Sequence, residues 1–125
     1  PATLGAACAD VCAWLQEDVI VGPHETVVVP TGLWLSIPDG YEILMRPRSG
    51  MAAKYGVSSH KGTIDSDYTD ELKVIVHNLS AYKISNGDRI AQMCMKKVLK
   101  YHAYELAEKP EKKGNRKGGL GSSGV

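Results

Sequence analysis

Apolar residues recur along most of the chain in short runs or at alternate positions, a pattern typical of β-strands. Within residues 71–78, Leu72, Val74 and Val76 occupy every second position, which predicts a strand with one buried face. Similar patterns predict strands at 19–21, 27–29, 33–37, 41–45 and 90–95, and an extended segment at 98–106.

Only residues 49–55 have helical character. Ser49 is suited to the N-cap position and Gly56 to the position that follows the last turn. Turn signals at Pro38-Asp39-Gly40 and Asn86-Gly87 separate the strands. Many short strands, frequent turns and one short helix in 125 residues predict one all-β domain, a barrel or jelly-roll.

The charge is unevenly distributed. Residues 108–125 carry five Lys or Arg and two Glu, a net of +3, so the body carries −2 within a total of +1. A slightly acidic body argues against a broad nucleic-acid surface, and no apolar run approaches the roughly 20 residues of a membrane span. The tail lacks any hydrophobic period, which predicts a core over 1–107 and a flexible C-terminal arm over 108–125.

The three cysteines form no CxxC pair. This predicts a reducing, cytoplasmic compartment and no disulfide framework. Cys8 and Cys12 could share a strand face, but no further thiol or histidine lies near them in sequence, which argues against zinc. The cysteines are therefore predicted to be small buried apolar residues.

Residues 62–68 concentrate the candidate chemistry. Gly62 allows close backbone approach, Asp65 and Asp67 would share one face of an extended segment, and Tyr68 would face the other way. Together they suggest a site that grips a ring and activates water. A polar loop between two strands explains the same residues.

Three other segments have residues that suit phosphate binding, and each can also be explained by an ordinary structural role. Residues 46–50 place Arg48 and Ser49 at a helix start, which suits an anion or is simply a cap with surface arginines. Residues 86–92 predict a turn and a strand with Gln92 partly buried. The Gly- and Ser-rich residues 118–124 could wrap phosphates or form a flexible linker.

Five segments stand in an order that resembles the five motifs of the trimeric dUTPases, and the match spans nearly the whole chain. They read ACADV at 7–11, PRSG at 47–50, GTIDSDY at 62–68, GDRIAQ at 87–92 and GLGSSG at 119–124. The resemblance implies a jelly-roll-like homotrimer with active sites at subunit interfaces. It implies Mg²⁺-dependent hydrolysis of dUTP to dUMP and pyrophosphate, which lowers dUTP and supplies dUMP for thymidylate synthesis.

The resemblance also implies residue roles. Asp65 would activate the water that attacks the α-phosphorus, Tyr68 would pack on the deoxyribose and exclude a 2′-hydroxyl, and Asp10 would hold hydrated Mg²⁺. The implied phosphate contacts are Arg48, Ser49 and Gly50 from another subunit, Gln92, and Arg116. The implied contacts to the rest of the substrate are Lys73, the 57–64 hairpin with Gly62, Thr63 and Ile64 at uracil, and the closing tail with Leu120, Gly121 and Ser122.

The chain departs from the family pattern near the base. Ser59 stands about where an Asn often contacts uracil, with His60 beside it, and either side chain can donate or accept a hydrogen bond. Leu120 replaces the Phe that covers the uracil ring, which forfeits aromatic stacking of about 1 kcal/mol. Arg116 lies closer to the glycine pair than is usual, and Asp70 replaces a Gly after Tyr68.

Two alternatives share the fold. One is a dCTP deaminase-like enzyme, which needs a glutamate near the pyrimidine; the nearest in this stretch is Glu71. The other is a non-catalytic protein that binds a nucleotide or a partner. Phage and viral relatives of this family can play regulatory roles, so the resemblance also allows a regulatory protein partner. If the chain is viral, it would act in the host-cell cytoplasm or nucleus.

Overall fold

The computed structural model describes residues 5–115 and 117–120. Its elements are β1 (Ala9–Cys12), β2 (Val19–Val21), β3 (Thr26–Trp34), β4 (Tyr41–Arg46), α1 (Ser49–Tyr55), β5 (Val57–Ser59), β6 (Gly62–Ile64), β7 (Glu71–Asn78), β8 (Tyr82–Ile84) and β9 (Arg89–Lys97). The prediction of an all-β fold with one short helix is confirmed. None of the described helical residues forms a segment long and apolar enough to cross a membrane.

The strands form three antiparallel sheets, with orders β1-β9-β4-β6, β3-β7-β5 and β2-β8. All three contribute to one apolar core. In β7, Leu72, Val74 and Val76 are buried and the residues between them are exposed, as the alternation predicted. Ile43 of β4 and Ile90 of β9 reach the same core from the four-stranded sheet.

The helix α1 ends as predicted but begins differently. Gly56 adopts a left-handed conformation (φ 63°) and its N–H donates to the carbonyls of Met51 and Ala52, so it closes the last turn. The N-cap position belongs to Arg48, not Ser49, and no side chain caps it. The prediction for Ser49 is wrong because the helical conformation already includes that residue.

The hydrophobic pattern predicted the wrong limits for two strands, β3 and β9. β3 continues through Pro30, since it is an edge strand with a register shift between Pro30 and Leu33, where the missing N–H is tolerated. The predicted strand over 33–37 therefore begins earlier and ends at Trp34. Residues 98–106 contain no strand, since β9 ends at Lys97.

The cysteine prediction is wrong in some respect for all three residues. Cys8 and Cys94 form a disulfide, with Cα atoms 4.4 Å apart. Ala9 pairs with Met93 across β1 and β9, so Cys8 and Cys94 are the next pair in the ladder. That register depends on long-range strand pairing, which the spacing of cysteines in the sequence does not reveal. Cys12 is free and exposed, not buried.

Candidate active site

Asp10 lies between two arginines. Its Oδ1 is 3.3 Å from Arg48 Nε, and its Oδ2 is 3.7 Å from Arg89 Nη1. Strand pairing explains the meeting, because β9 runs between β1 and β4 and Gln92 is opposite both Asp10 and Arg46. Three predicted motif segments thus contribute to one cluster. The fold brings together Asp10, Arg48 and Gln92, which are far apart in the sequence.

A cavity of about 510 Å³, the cation pocket, adjoins this cluster. Its lining residues are Arg48, Gly50, Met51, Lys54, Tyr55, Tyr82, Gly87, Asp88 and Arg89. Three cationic side chains and one carboxylate face it, which favours an anionic ligand. Arg48 Nε is buried and, among the described residues, has no acceptor in hydrogen-bond geometry, although Asp10 is within ion-pair distance.

Sequence reasoning missed Lys54 and Arg89 as members of this pocket. Asp88, next to Arg89 in the chain, accepts the Ser85 N–H through Oδ2 at 2.8 Å, which stabilises the 85–88 turn. Arg89 is thereby left to pair with Asp10. The available signal was its place inside the 87–92 segment. For Lys54 the sequence offered no signal beyond its position in the predicted helix.

Tyr82 lies in the cation pocket against Tyr55, with ring centroids 5.3 Å apart. Desolvation by burial raises the pKa of Tyr82 above its ordinary value of 10.0, and the negative charge of Asp88 raises it further. The Arg48 guanidinium acts in the opposite direction. The phenol is therefore a neutral hydroxyl beside the arginines throughout the physiological range.

Asp65 lies elsewhere, in a turn and not in an extended segment. The Tyr68 N–H donates to the Asp65 carbonyl at 3.1 Å, so Asp65 and Asp67 do not share a strand face as predicted. Asp65 is exposed and lines a cavity of about 270 Å³, the acid pocket. The lining residues are Gly40, Tyr41, Glu42, Asp65, Ser66, Asp67, Val98 and Lys100.

The acid pocket and the cation pocket lie at opposite ends of β4. Ile64 pairs with Ile43, which sets Asp65 beside Glu42 at the start of β4, whereas Arg48 follows its last residue, Arg46. At about 3.3 Å per residue, roughly 13 Å separates Glu42 from Arg46 along the strand. The two described pockets share no lining residue. One chain therefore does not gather Asp65 and Arg48 around a common centre.

Tyr68 is held by its own loop. Its hydroxyl donates to the Glu71 carbonyl at 2.6 Å, which fixes the ring while leaving it partly exposed. Glu71 in turn accepts the Gly32 N–H through Oε2 at 3.0 Å. Lys73 is exposed on the outer face of β7, opposite Pro30, and lines none of the described pockets near Asp65.

The predicted 57–64 hairpin is not a paired hairpin. β5 pairs with β7 and β6 pairs with β4, so the two strands are edges of different sheets. Gly62 and Thr63 line a cavity of about 650 Å³ together with the end of β4. An edge strand presents a row of backbone N–H and C=O groups, the kind of donor and acceptor that a base edge requires.

Ser59 and His60 differ in what they expose. Ser59 is only 4% exposed, and its Oγ has no hydrogen-bond partner in the described part of the chain. His60 is exposed, and its N–H donates to the Ile75 carbonyl at 2.8 Å. The side chain of Ser59 therefore lies on the core side of β5, and His60 faces outward.

Among the described tail residues, Leu120 lines neither the cation pocket nor the acid pocket. Leu120 is fully exposed. Arg116, Gly121 and Ser122 lie outside the described residues.

The sequence matches known proteins along almost its entire length. The family described as dUTPase matches residues 1–124. The deoxyuridine 5′-triphosphate nucleotidohydrolase of Finegoldia magna is 46% identical over 110 residues, covering 85% of this chain and 75% of that protein. The enzyme of the same name from Wolbachia pipientis of Culex pipiens is 44% identical over 128 residues, covering 98% and 84%.

Solved structures agree with these matches. The Staphylococcus bacteriophage 80alpha dUTPase with dUPNHPP has a TM-score of 0.84 and 26% identity, covering 98% of this chain and 89% of that one. A dUTPase mutant from phage phi11 of S. aureus, described as coordinating a structural Mg(II) ion, has a TM-score of 0.77 and 23% identity over 85% and 86%. The jelly-roll-like fold is confirmed, and the chain belongs to the dUTPase family.

Proposed function

We propose that this chain hydrolyses dUTP to dUMP and pyrophosphate by attack of water on the α-phosphorus. The family match over residues 1–124 carries the proposal. The geometry supports it: the cation pocket suits a triphosphate, and the acid pocket holds the exposed carboxylate of Asp65. An ionised carboxylate can accept a proton from an attacking water.

The phosphates would be held by Arg48, Ser49 and Gly50. The buried Arg48 Nε has no acceptor in hydrogen-bond geometry among the described residues, and a phosphate oxygen would supply one. Gly50 lines the pocket, and a Cβ at that position would meet nothing within 4 Å, so the approach to its backbone is open. Gln92 would contact the same end of the substrate, from the strand between Asp10 and Arg46.

The residues at this end also fit Mg²⁺. No group of three carboxylate, imidazole or thiolate side chains that could hold a metal ion occurs among the described residues, so these residues alone do not surround the ion. Mg²⁺ usually keeps several waters and is held by one or two carboxylates together with substrate phosphates, a role that Asp10 can fill. Bound there, the ion would neutralise charge on the phosphates.

The substrate would lie between subunits of a homotrimer. Asp65 and Arg48 are at opposite ends of β4, so a neighbouring chain is needed to bring an Arg48 to each Asp65. Leu99, Tyr101, Tyr104 and Leu106 are exposed after β9, which leaves an apolar segment for a neighbour to cover. The 108–125 arm with Arg116, Leu120, Gly121 and Ser122 would close over a neighbour's site.

Base and sugar would be selected on the Asp65 side. The open edge of β6, with Gly62, Thr63 and Ile64, offers backbone groups to uracil. The Tyr68 ring, fixed by its bond to Glu71, would pack on the deoxyribose and leave no room for a 2′-hydroxyl. His60 is the exposed side chain next to that edge, and Lys73 would contact the substrate only from a neighbouring chain.

Pyrophosphate release from dUTP, dCTP, dTTP and UTP with Mg²⁺ tests the proposal. Turnover is expected with dUTP and is expected to be at least about a hundredfold lower with dCTP, whose base edge would leave hydrogen-bonding groups unpaired. Turnover should also be lower with dTTP and UTP, because they carry a methyl and a 2′-hydroxyl that the site would exclude. Ammonia release from dCTP would instead indicate the deaminase alternative. Binding of dUTP without release of pyrophosphate would indicate the non-catalytic one.

A further inference from the structure

The Cys8–Cys94 disulfide lies directly beside Asp10. The bond joins β1 to β9 one pair before Ala9 and Met93, and Asp10 faces Gln92 in the pair after that. β1 is a four-residue edge strand, and among the described strands it pairs with β9 alone. Its alignment, and with it the position of Asp10, depends on few contacts.

The two ends of β1 are held differently. On the downstream side Val11 is fully buried, the Ala13 N–H donates to the Asp88 carbonyl at 2.8 Å, and the Ala13 carbonyl accepts the Gly87 N–H at 2.9 Å. On the upstream side no described residue before Val11 belongs to the apolar core. The disulfide is thus the main anchor of the upstream end, and Asp10 lies at the boundary.

The ion pairs of Asp10 do not replace that anchor. The side chains of Asp10 and Arg48 are 28% and 25% exposed, and that of Arg89 is more exposed still. Ion pairs between partly exposed groups contribute little to stability. Without the disulfide, β1 upstream of Val11 has only its ladder hydrogen bonds at an edge, where strands fray most readily.

We propose that Cys8–Cys94 is a redox latch that holds Asp10 in the cation pocket. With the bond intact, β1 stays aligned on β9 and Asp10 orients Arg48. After reduction, the segment before Val11 loosens and Arg48 loses its carboxylate partner. The loosening is a property of the fold alone, whereas its effect on Mg²⁺ and dUTP binding rests on the function proposed above.

The more accessible of the two sulfur atoms determines which one a reductant attacks first. Cys94 is 1% exposed and Cys8 is partly exposed, so a dithiol reductant attacks Cys8 Sγ. The Cys8–Cys94 bond breaks, and Cys94 leaves as a thiolate that takes a proton. The second thiolate of the reductant then displaces Cys8, which also takes a proton. The reductant departs as its cyclic disulfide, having transferred two electrons.

The test uses a Cys12→Ser chain, which removes the exposed free thiol and leaves only the latch pair. Thiol titration in denaturant is expected to find no free thiol in the untreated protein, and two in protein from which dithiothreitol has been removed after reduction. Hydrogen exchange of residues 8–10 is expected to accelerate on reduction. The Kd for a non-hydrolysable dUTP analogue with Mg²⁺ is expected to rise about tenfold on reduction. Loss of a group that orients a metal ligand typically weakens binding by at least that factor.

A Cys8→Ser, Cys12→Ser chain is the matched control and should behave as the reduced protein with or without reductant. Two free thiols before reduction, or exchange and Kd that do not respond to reduction, would overturn the latch. If hydrogen exchange accelerates on reduction but neither redox state binds the dUTP analogue, the latch proposal is supported and the proposed function is contradicted.

Discussion

Asp10 Oδ1 lies 3.3 Å from Arg48 Nε, although Asp10 is in β1 and Arg48 follows β4. The carboxylate proposed for the metal end therefore orients the guanidinium proposed for the phosphates. A change in either side chain therefore also disturbs the other, so a test of Arg48 should keep its positive charge beside Asp10.

Asp65→Asn removes the proposed base while preserving size. Because the amide cannot accept a proton from water, kcat for dUTP is expected to fall about 100- to 10,000-fold. The Kd for a non-hydrolysable analogue should change little. Asp67→Asn, two residues along in the same turn, is the control and should retain most activity. Comparable loss in both variants would contradict the assignment.

Arg48→Lys keeps the charge but removes the planar guanidinium. Lysine cannot donate two parallel hydrogen bonds to a phosphate, so KM for dUTP is expected to rise about tenfold. Steady-state kinetics measures this. Lys83→Arg, a charge-preserving change at a residue that lines none of the described pockets, should be nearly silent. An unchanged KM in Arg48→Lys would count against phosphate binding there.

Ser59→Ala tests whether the buried hydroxyl contacts the substrate. The Oγ has no partner among the described residues, so its removal is expected to raise the free energy of unfolding by about 1 kcal/mol and to leave KM unchanged. Urea denaturation and kinetics measure the two quantities. Ser58→Ala should change stability by less than about 0.5 kcal/mol. A raised KM would show that the Ser59 side chain reaches the base.

Tyr82→Phe tests the half-buried phenol through the pH dependence of stability. The pKa of Tyr82 is raised in the folded chain, chiefly by desolvation, so the unfolded chain loses the proton first. Its contribution to stability is complete below pH 10.0 and is lost as pH rises from there through the raised value. Urea midpoints between pH 8 and 12 should fall less steeply in Tyr82→Phe. Tyr101→Phe, at an exposed site, should follow the unmodified chain.

Leu120→Phe restores the aromatic residue that the family pattern places over uracil. Ring stacking of about 1 kcal/mol predicts a KM for dUTP lower by about fivefold. Leu106→Phe, also exposed but outside the motif, is the control. An unchanged KM in both variants would indicate that the tail does not cover the base.

Local pattern predicted the elements whose residues alternate within one segment. The strand at 71–78 and the end of the helix at Gly56 follow from side-chain alternation and a left-handed glycine, both properties of adjacent residues. Pro30 misled the prediction of β3, because its tolerance depends on an edge and a bulge that only the partner strand defines.

Long-range pairing determined what the sequence could not reveal. The Cys8–Cys94 bond and the Asp10–Arg48 ion pair both follow from the register of β1 on β9. The motif order predicted a set of site residues, but it could not show that β4 holds Asp65 and Arg48 apart. Residues 98–106 have the composition of a strand, yet in a single chain no neighbouring edge pairs with them.

The separation of Asp65 from Arg48 along β4 predicts that two inactive variants can restore each other's activity. If each site takes Asp65 from one chain and Arg48 from the next, then Asp65→Asn and Arg48→Ala damage different halves of every site. Two such inactive chains, unfolded and refolded together, would complement each other by forming mixed trimers in which some sites are intact. A mixture made without refolding would stay inactive. Complementation of this kind would map the shared site without any image of the assembled trimer.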